Sequence, residues 1–247
     1  MAPDAAGRFP TTRWSMIAKA NNETGESTHR QALAELCQTY WQPLYTFARR
    51  SGNNHHDAMD LTQGFFAHLL DHQSLSVADP GKGRFRSFLL VSFKNYVSNQ
   101  RRHAGTARRG GGHSLLSLTA ADFEAIRDFE PTETETPETL FQKEWAQSLL
   151  RQVRNRLEEE CIRANKGALF QLLEPHLVNS PDAVPRDEIA NQNGLSPAAL
   201  AMTLYRLRRR YREILREEVA ATVADPADVD DELAELITLF GTPPRRS

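Results

Sequence analysis

The stretch Gly83–Arg102, GRFRSFLLVSFKNYVSNQRR, contains five basic residues and four aromatic ones but no acidic residue. Its apolar residues recur at intervals of three and four, the spacing of an amphipathic helix. In a helix that begins at Phe85, one side carries Phe88, Leu89, Ser92, Tyr96 and Val97. The basic residues Arg86, Lys94 and Arg101 lie on other sides of that helix. The stretch therefore predicts a helix with one buried face and a cationic remainder, although the inward-facing rings are equally explained as core.

The charge of the chain is unevenly distributed. The segment from Pro80 to Ala121 has eight basic and no acidic residues, whereas the whole chain has a net charge of −2. A basic stripe on an otherwise acidic protein is the footprint of a nucleic-acid-binding surface.

Helical periodicity also dominates the rest of the chain, and alternating strand patterns are absent. Helices are predicted at Trp14–Ala20, Thr28–Arg50 (kinked or split at Pro43), Asp57–Asp71, from Phe85 onward, and at Leu115–Phe129 and Asp231–Phe240. We predict an all-α fold of two small helical domains joined by a flexible linker. The predicted segments are a domain at 1–103, a linker at 104–139, a second domain at 140–219 and an acidic tail at 220–247.

Residues Arg186–Arg206, RDEIANQNGLSPAALAMTLYR, have the small–Gly–apolar spacing of a helix-turn-helix. Gly194 suits the left-handed conformation that ends a helix. Ser196 suits the N-cap of the next helix, and Pro197 its first position. The alternative is an ordinary helical hairpin with a solvated basic end.

Two units of this kind resemble a known family. Asp57–Leu70, DAMDLTQGFFAHLL, resembles the D-A-E-D-L-x-Q-x-x-F helix in the second conserved region of bacterial RNA polymerase sigma factors, and Gly83–Arg102 resembles the helix that follows it. The helix-turn-helix resembles the fourth conserved region. A chain with these two regions and a linker resembles the extracytoplasmic-function (group four) subfamily.

The resemblance implies a protein that is not an enzyme, needs no cofactor, and directs core RNA polymerase to promoters from the cytoplasm. It implies docking on the polymerase clamp helices by Asp57, Asp60, Gln63 and Phe66. It implies binding of the melted minus-ten element by Arg84, Arg86, Lys94, Asn95, Asn99, Arg101 and Arg102. Contact with the minus-thirty-five duplex is implied for Ser196, Ala198, Ala199, Met202, Thr203, Arg206, Arg208, Arg209 and Arg210.

Some positions depart from the family pattern. Met59 and Gly64 stand where the docking helix carries acidic residues, which predicts weaker docking on a basic clamp. Phosphorylation of Thr62 would add about −1.5 to −2 charges in the same helix. We therefore hypothesise that a Ser/Thr kinase acts at Thr62 in place of an anti-sigma factor; the alternative is an unmodified helix residue.

The tail raises a second question of regulation. Leu233, Leu236, Ile237 and Phe240 form an apolar stripe on an acidic helix. The helix either covers the basic helix-turn-helix and blocks DNA or, as we favour, completes a small core.

Two other functional classes compete with a sigma factor. His68 and His72 are spaced i, i+4, as in some metal sites, but HLLDH lacks the glutamate of H-E-x-x-H, and we predict no metal. A free helix-turn-helix regulator that binds duplex operators would leave Asp57–Arg102 without a role. Cys37 and Cys161 form no C-x-x-C pair, no apolar run is long enough to span a membrane, and none near the start resembles a signal peptide, so we expect a soluble cytoplasmic protein.

Overall fold

The computed structural model describes residues 26–71, 84–106, 135–177, 183–223 and 225–240. Within these ranges the chain forms α-helices and short 3₁₀ turns, and the all-α prediction is confirmed. The predicted helices at Trp14–Ala20 and Leu115–Phe129 lie outside the described residues. The helices are α1 (Glu26–Arg50), α2 (His55–Asp71), α3 (Phe85–Thr106), α4 (Pro137–Arg163), α5 (Gly167–Leu173), α6 (Arg186–Gln192), α7 (Pro197–Ala220) and α8 (Val229–Phe240), with 3₁₀ turns at Glu174–His176 and Pro226–Asp228.

Helix α1 continues through Pro43, so the predicted split is wrong. Proline removes one backbone hydrogen bond from a helix interior. Tyr40, Leu44 and Phe47 on either side of it are buried, and this packing offsets the loss. Gly52 follows the helix at φ +90°, a conformation that glycine adopts easily.

The chain divides into two compact units. The first contains the described residues up to Ser148 and those from Val219 onward, and the second is Leu149–Glu218. The start of α4 and all of α8 thus belong to the first unit, which differs from the predicted segments 140–219 and 220–247. The functional limits of those segments stay predictions.

The core of the first unit is rich in aromatic rings. Phe65 meets Phe93 edge-on with centroids 5.0 Å apart, and Tyr40 meets Phe85 at 5.4 Å. Phe85 and Phe93 are fully buried. Phe85 and Phe93 are therefore core residues, whereas Phe88 and Tyr96, which were placed on the inward face, are only partly buried.

The second unit has two apolar clusters. One joins α4, α5 and α7 through Val153, Leu157, Cys161, Phe170 and Ile214. The other joins α5, α6 and the start of α7 through Leu173, Ile189, Ala190 and Leu200. Together they hold α6 and α7 against the rest of the unit.

Candidate nucleic-acid interface

A cationic groove lies between the ends of α1 and α3. Its volume is about 490 Å³, and its lining residues are Phe47, Ser51, Lys94, Val97, Ser98, Arg101 and Arg102. Lys94 Nζ lies 5.4 Å from the centroid of the Phe47 ring, within the range of a cation–π contact. The groove therefore combines an aromatic and aliphatic floor with a basic rim.

The groove brings together three of the predicted minus-ten residues. Arg101 donates to the backbone oxygen of Ser51 and to Asn53 Oδ1, both at 3.3 Å, which orients its exposed side chain. Arg102 donates to Asn99 Oδ1. Asn95 and Asn99 are exposed on the same helix.

Lys94 has an intramolecular partner. Its ammonium lies 2.6 Å from Glu138 at the start of α4, and both side chains are substantially exposed. The hydrogen bond from Lys94 lowers the pKa of Glu138. An exposed pair of this kind contributes little free energy, about 0–1 kcal/mol, so Lys94 can exchange Glu138 for another anion.

Arg86 does not line this groove, and internal partners occupy its guanidinium in this conformation; its contact with DNA stays a prediction. Its side chain is only 2% exposed. It donates to Gln142, and its guanidinium lies 4.3 Å from the centroid of the Trp145 ring. On α8 it pairs with Glu232 and Glu235.

Arg84 makes the same acidic contacts from a more exposed position. Its Nε lies 2.7 Å from Glu232, and its guanidinium also contacts Glu235. Burial lowers the pKa of Arg86, and the charge of Glu232 opposes that shift. Burial raises the pKa of Glu232, against the opposing charges of Arg86 and Arg84. Sequence reasoning missed this site, although Glu232 and Glu235 are spaced i, i+3 on a short acidic helix.

Two of the predicted docking residues of α2 have structural roles. Asn54 Nδ2 donates to Asp57 Oδ2 at 2.7 Å, and the Asp57 amide donates to Asn54 Oδ1 at 2.9 Å, which closes the helix start. Phe66 is fully buried and stacks on Trp41, with centroids 5.8 Å apart, so it packs in the core here; its contact with the polymerase stays a prediction. Asp60 is exposed and Gln63 is partly exposed.

Thr62 is also fully buried. Its hydroxyl donates to the carbonyl of Ala58 at 2.7 Å, a contact within the helix. A kinase needs an accessible hydroxyl, so the phosphorylation hypothesis does not fit this fold.

The departure at Gly64 has a steric cause. A Cβ added there would lie 2.4 Å from the hydroxyl oxygen of Tyr96 on α3. Any side chain at position 64 would meet this phenol, so the missing carboxylate is compensated by closer packing of α2 on α3.

The turn between α6 and α7 has the predicted local geometry. Gly194 has φ +62°, and the amide of Leu195 donates to the carbonyl of Ala190 at 2.9 Å. Ser196 Oγ accepts from the Ala199 amide at 3.1 Å and so caps α7.

The first turns of α7 present several predicted contact residues to solvent. Ser196, Ala198 and Ala199 are exposed, and Met202 is 50% exposed. Thr203 is partly buried, and its hydroxyl donates to Ala199. Tyr205, which sequence reasoning missed, is 57% exposed; its position three residues after Met202 was the available signal.

The arginines that follow differ in their availability. Arg206 and Arg209 are exposed, and Arg209 makes only an i, i+4 pair with Glu213 at 3.3 Å. Arg208 donates to the backbone oxygen of His176 at 2.6 Å. Its predicted role as a phosphate contact therefore competes with an internal bond.

Arg210 is held most firmly. Its guanidinium donates to both oxygens of Glu160 at 2.8 Å and also contacts Glu213 and Glu217. These bonds raise the pKa of Arg210, and the bond from Arg210 lowers that of Glu160. These carboxylates occupy the Arg210 guanidinium in this conformation, and its contact with DNA stays a prediction.

His68 and His72, the pair weighed above as an alternative metal site, do not both lie within the described residues. His68 packs against Tyr96, with ring centroids 5.4 Å apart, and His72 lies outside the described residues. No group of three or more His, Cys, Asp or Glu side chains in the described ranges is arranged to hold a metal ion. Across the same ranges, every helix is too short or too polar to cross a lipid bilayer.

Residues 36–106 match the family model of Sigma-70 region 2. The matched segment contains α2, α3 and the basic groove. No curated protein and no solved structure matches the chain. The matched segment makes up 71 of the 247 residues, and the likeness to Sigma-70 region 2 is shown over that segment alone.

Proposed function

We propose that the chain is a group-four, extracytoplasmic-function sigma factor. It binds the clamp helices of core RNA polymerase in the cytoplasm and directs the enzyme to promoters. The observation that carries the proposal is the cationic groove of Lys94, Arg101 and Arg102, which lies within the segment similar to Sigma-70 region 2.

The groove has the chemistry that melted promoter DNA requires. A separated strand offers phosphates and unstacked bases, and proteins bind such strands with positive grooves that carry aromatic surfaces. Lys94, Arg101 and Arg102 supply the charge, while Phe47 and Val97 supply an apolar floor. Asn95 and Asn99 add exposed hydrogen-bonding groups beside it. We therefore assign the minus-ten contact to this end of α3.

The contacts with the polymerase and with the minus-thirty-five duplex are assigned to residues that are exposed to solvent. Asp60 and Gln63 are the predicted docking residues of α2 that reach solvent, and a carboxylate suits a basic clamp. In the second unit, α6 and α7 form a helix-turn-helix whose exposed residues Ala198, Met202 and Arg206 contact the minus-thirty-five duplex. The burial of Thr62 favours control by a protein partner such as an anti-sigma factor over a kinase.

Co-purification with core polymerase, followed by in vitro transcription from a promoter pool, tests the proposal. We expect the wild-type chain to be retained by core enzyme and to start transcription. Lys94→Glu and Arg101→Glu should keep polymerase binding but lose promoter opening, because they reverse the charge of the groove. The control is Lys166→Glu, an exposed charge reversal in the second unit.

Two outcomes would contradict the proposal. Failure of the wild-type chain to bind core polymerase would refute it. Tight, polymerase-independent binding to duplex DNA would instead favour a stand-alone helix-turn-helix regulator. The exposed face of α7, which lies outside the segment similar to Sigma-70 region 2, keeps that second function open.

A further inference from the structure

The first unit contains an acidic contact that the proposed function does not use. Glu232 and Glu235, one turn apart on α8, converge on Arg84 and Arg86 at the start of α3. Arg86 Nε lies 3.0 Å from Glu232 Oε1, and Arg86 Nη2 lies 3.0 Å from Glu232 Oε2. Only the contact from Nη2 to Oε2 is a hydrogen bond; Nε and Oε1 are close but make no hydrogen bond within the described residues. Glu232 therefore holds the guanidinium by opposite charge and one charge-assisted hydrogen bond, which a phosphate oxygen can also supply.

Stability alone does not account for this contact. Glu232 is fully buried and Arg86 is 2% exposed, so both charges have lost their water. The desolvation of a buried pair can exceed its Coulombic gain, and apolar residues of similar volume are often as stable or more so. The buried charges therefore indicate a function in which Arg84 and Arg86 bind an anion.

The two glutamates that contact these arginines lie on a short helix, α8. Helix α8 has twelve residues, of which four are acidic and none basic. Isolated helices of fewer than about 12–15 residues are marginal in water, so α8 keeps its form only while it is docked. Val229 and Leu236 are buried on one side, whereas Ile237 and Phe240 on the other side are exposed. This combination suits an element that docks and releases.

We propose that α8 is an internal competitor of nucleic acid, whose carboxylates occupy Arg84 and Arg86 in place of DNA phosphates until the helix is displaced. The inference rests on the proposed function and extends its DNA-binding surface from the groove of Lys94, Arg101 and Arg102 to the start of α3. It differs from the sequence-based hypothesis of a blocked helix-turn-helix, since α8 contacts α3 in the first unit. Gln142 and Trp145 of α4 keep Arg86 in position when α8 leaves.

The test is the affinity of the full chain for a fluorescein-labelled, random 20-nucleotide single-stranded DNA, measured by anisotropy. Glu235→Gln removes half-exposed charge from the contact without leaving Arg86 unpaired. We expect Glu235→Gln to bind this DNA at least about fivefold more tightly than wild type. A factor of about five is the lower end of the range for coupling between two sites. The matched control, Asp231→Asn, makes the same charge change at an exposed position of α8 and should have no effect.

Two further measurements separate competition from a structural role. Adding Arg84→Gln to Glu235→Gln should abolish the gain in affinity, because the freed guanidinium is then absent. Hydrogen exchange of the wild-type chain should be faster in α8 when the DNA is bound. An unchanged affinity of Glu235→Gln, a gain that survives Arg84→Gln, an equal gain in Asp231→Asn, or unaltered exchange of α8 would each overturn the inference.

Failure of this inference can be told apart from failure of the proposed function. Polymerase co-purification does not depend on Glu235. If core enzyme is retained while Glu235→Gln leaves DNA affinity unchanged, α8 is a structural element and the sigma assignment stands. If core enzyme is not retained, the sigma assignment fails whatever α8 does.

Discussion

Glu232 and Arg86, 146 positions apart in the chain, form a buried ion pair with one hydrogen bond of 3.0 Å. Removal of one partner from a buried pair leaves an uncompensated charge and costs about 3–5 kcal/mol. We expect Glu232→Leu to lower the free energy of unfolding by about 3 kcal/mol, the lower end of that range, because Arg86 keeps Gln142 and Glu235. Urea unfolding measures the loss.

The matched variant for this pair removes both charges. Arg86→Met combined with Glu232→Leu should recover most of the stability, since two apolar side chains replace two desolvated ions. A double variant as unstable as Glu232→Leu would contradict the coupling of the two residues.

The close contact between Gly64 on α2 and Tyr96 on α3 predicts that the effect of Gly64→Ala on stability depends on the residue at position 96. Alanine is favoured over glycine within a helix by about 1 kcal/mol, yet its Cβ would meet the Tyr96 hydroxyl at 2.4 Å. We expect Gly64→Ala to destabilise the protein by about 1–2 kcal/mol through overpacking. In a Tyr96→Phe background the same change should be neutral or stabilising, because the next ring atom is 3.5 Å away. Equal effects in both backgrounds, measured by thermal unfolding, would count against this contact.

The ion pair of Glu160 with Arg210 predicts a dependence of stability on pH. Arg210 holds the pKa of Glu160 below its ordinary value of 4.5. A depressed folded pKa means that ionised Glu160 adds stability above the unfolded value and that this contribution is lost as the pH falls through the folded value. We expect the free energies of unfolding of wild type and Glu160→Gln to converge between about pH 5 and 3. Glu159→Gln, at an exposed neighbouring position, is the control, and a constant difference across that range would contradict the prediction.

The exposed side chains of α7 predict which residues read duplex DNA. Apolar groups in the major groove recognise thymine methyl groups, and one good base contact contributes about 1–3 kcal/mol of discrimination. Met202→Ala and Tyr205→Ala should each reduce binding to a minus-thirty-five duplex selected from a random pool about five- to hundredfold, which corresponds to that range. Ile162→Ala, at a similarly exposed position of the second unit, should have no effect. Unchanged binding by both α7 variants would exclude this face as the reader.

Local patterns in the sequence predicted local structure well. The spacing of apolar residues indicated the helices, and the types of Gly194 and Ser196 indicated the turn and the cap that are observed. Asn54 and Asp57, three positions apart, form a reciprocal cap that the sequence analysis did not name. Such signals depend on residues within a few positions of one another.

Contacts between distant segments were not predictable in the same way. Periodicity indicates that a helix has a buried face but not which element covers it. Arg86 was therefore assigned to DNA, although Glu232 on α8 neutralises it. Phe66 and Thr62 were assigned to a surface for the same reason, because a motif fixes residue types but not the exposure of each position.

The fit of Gly64 against Tyr96 constrains how this chain can diverge. A side chain at position 64 fits between α2 and α3 only if the phenol at position 96 is replaced or moves aside. Substitutions at the two positions are therefore coupled, and a variant library that randomises both should recover side chains at position 64 together with smaller residues at position 96.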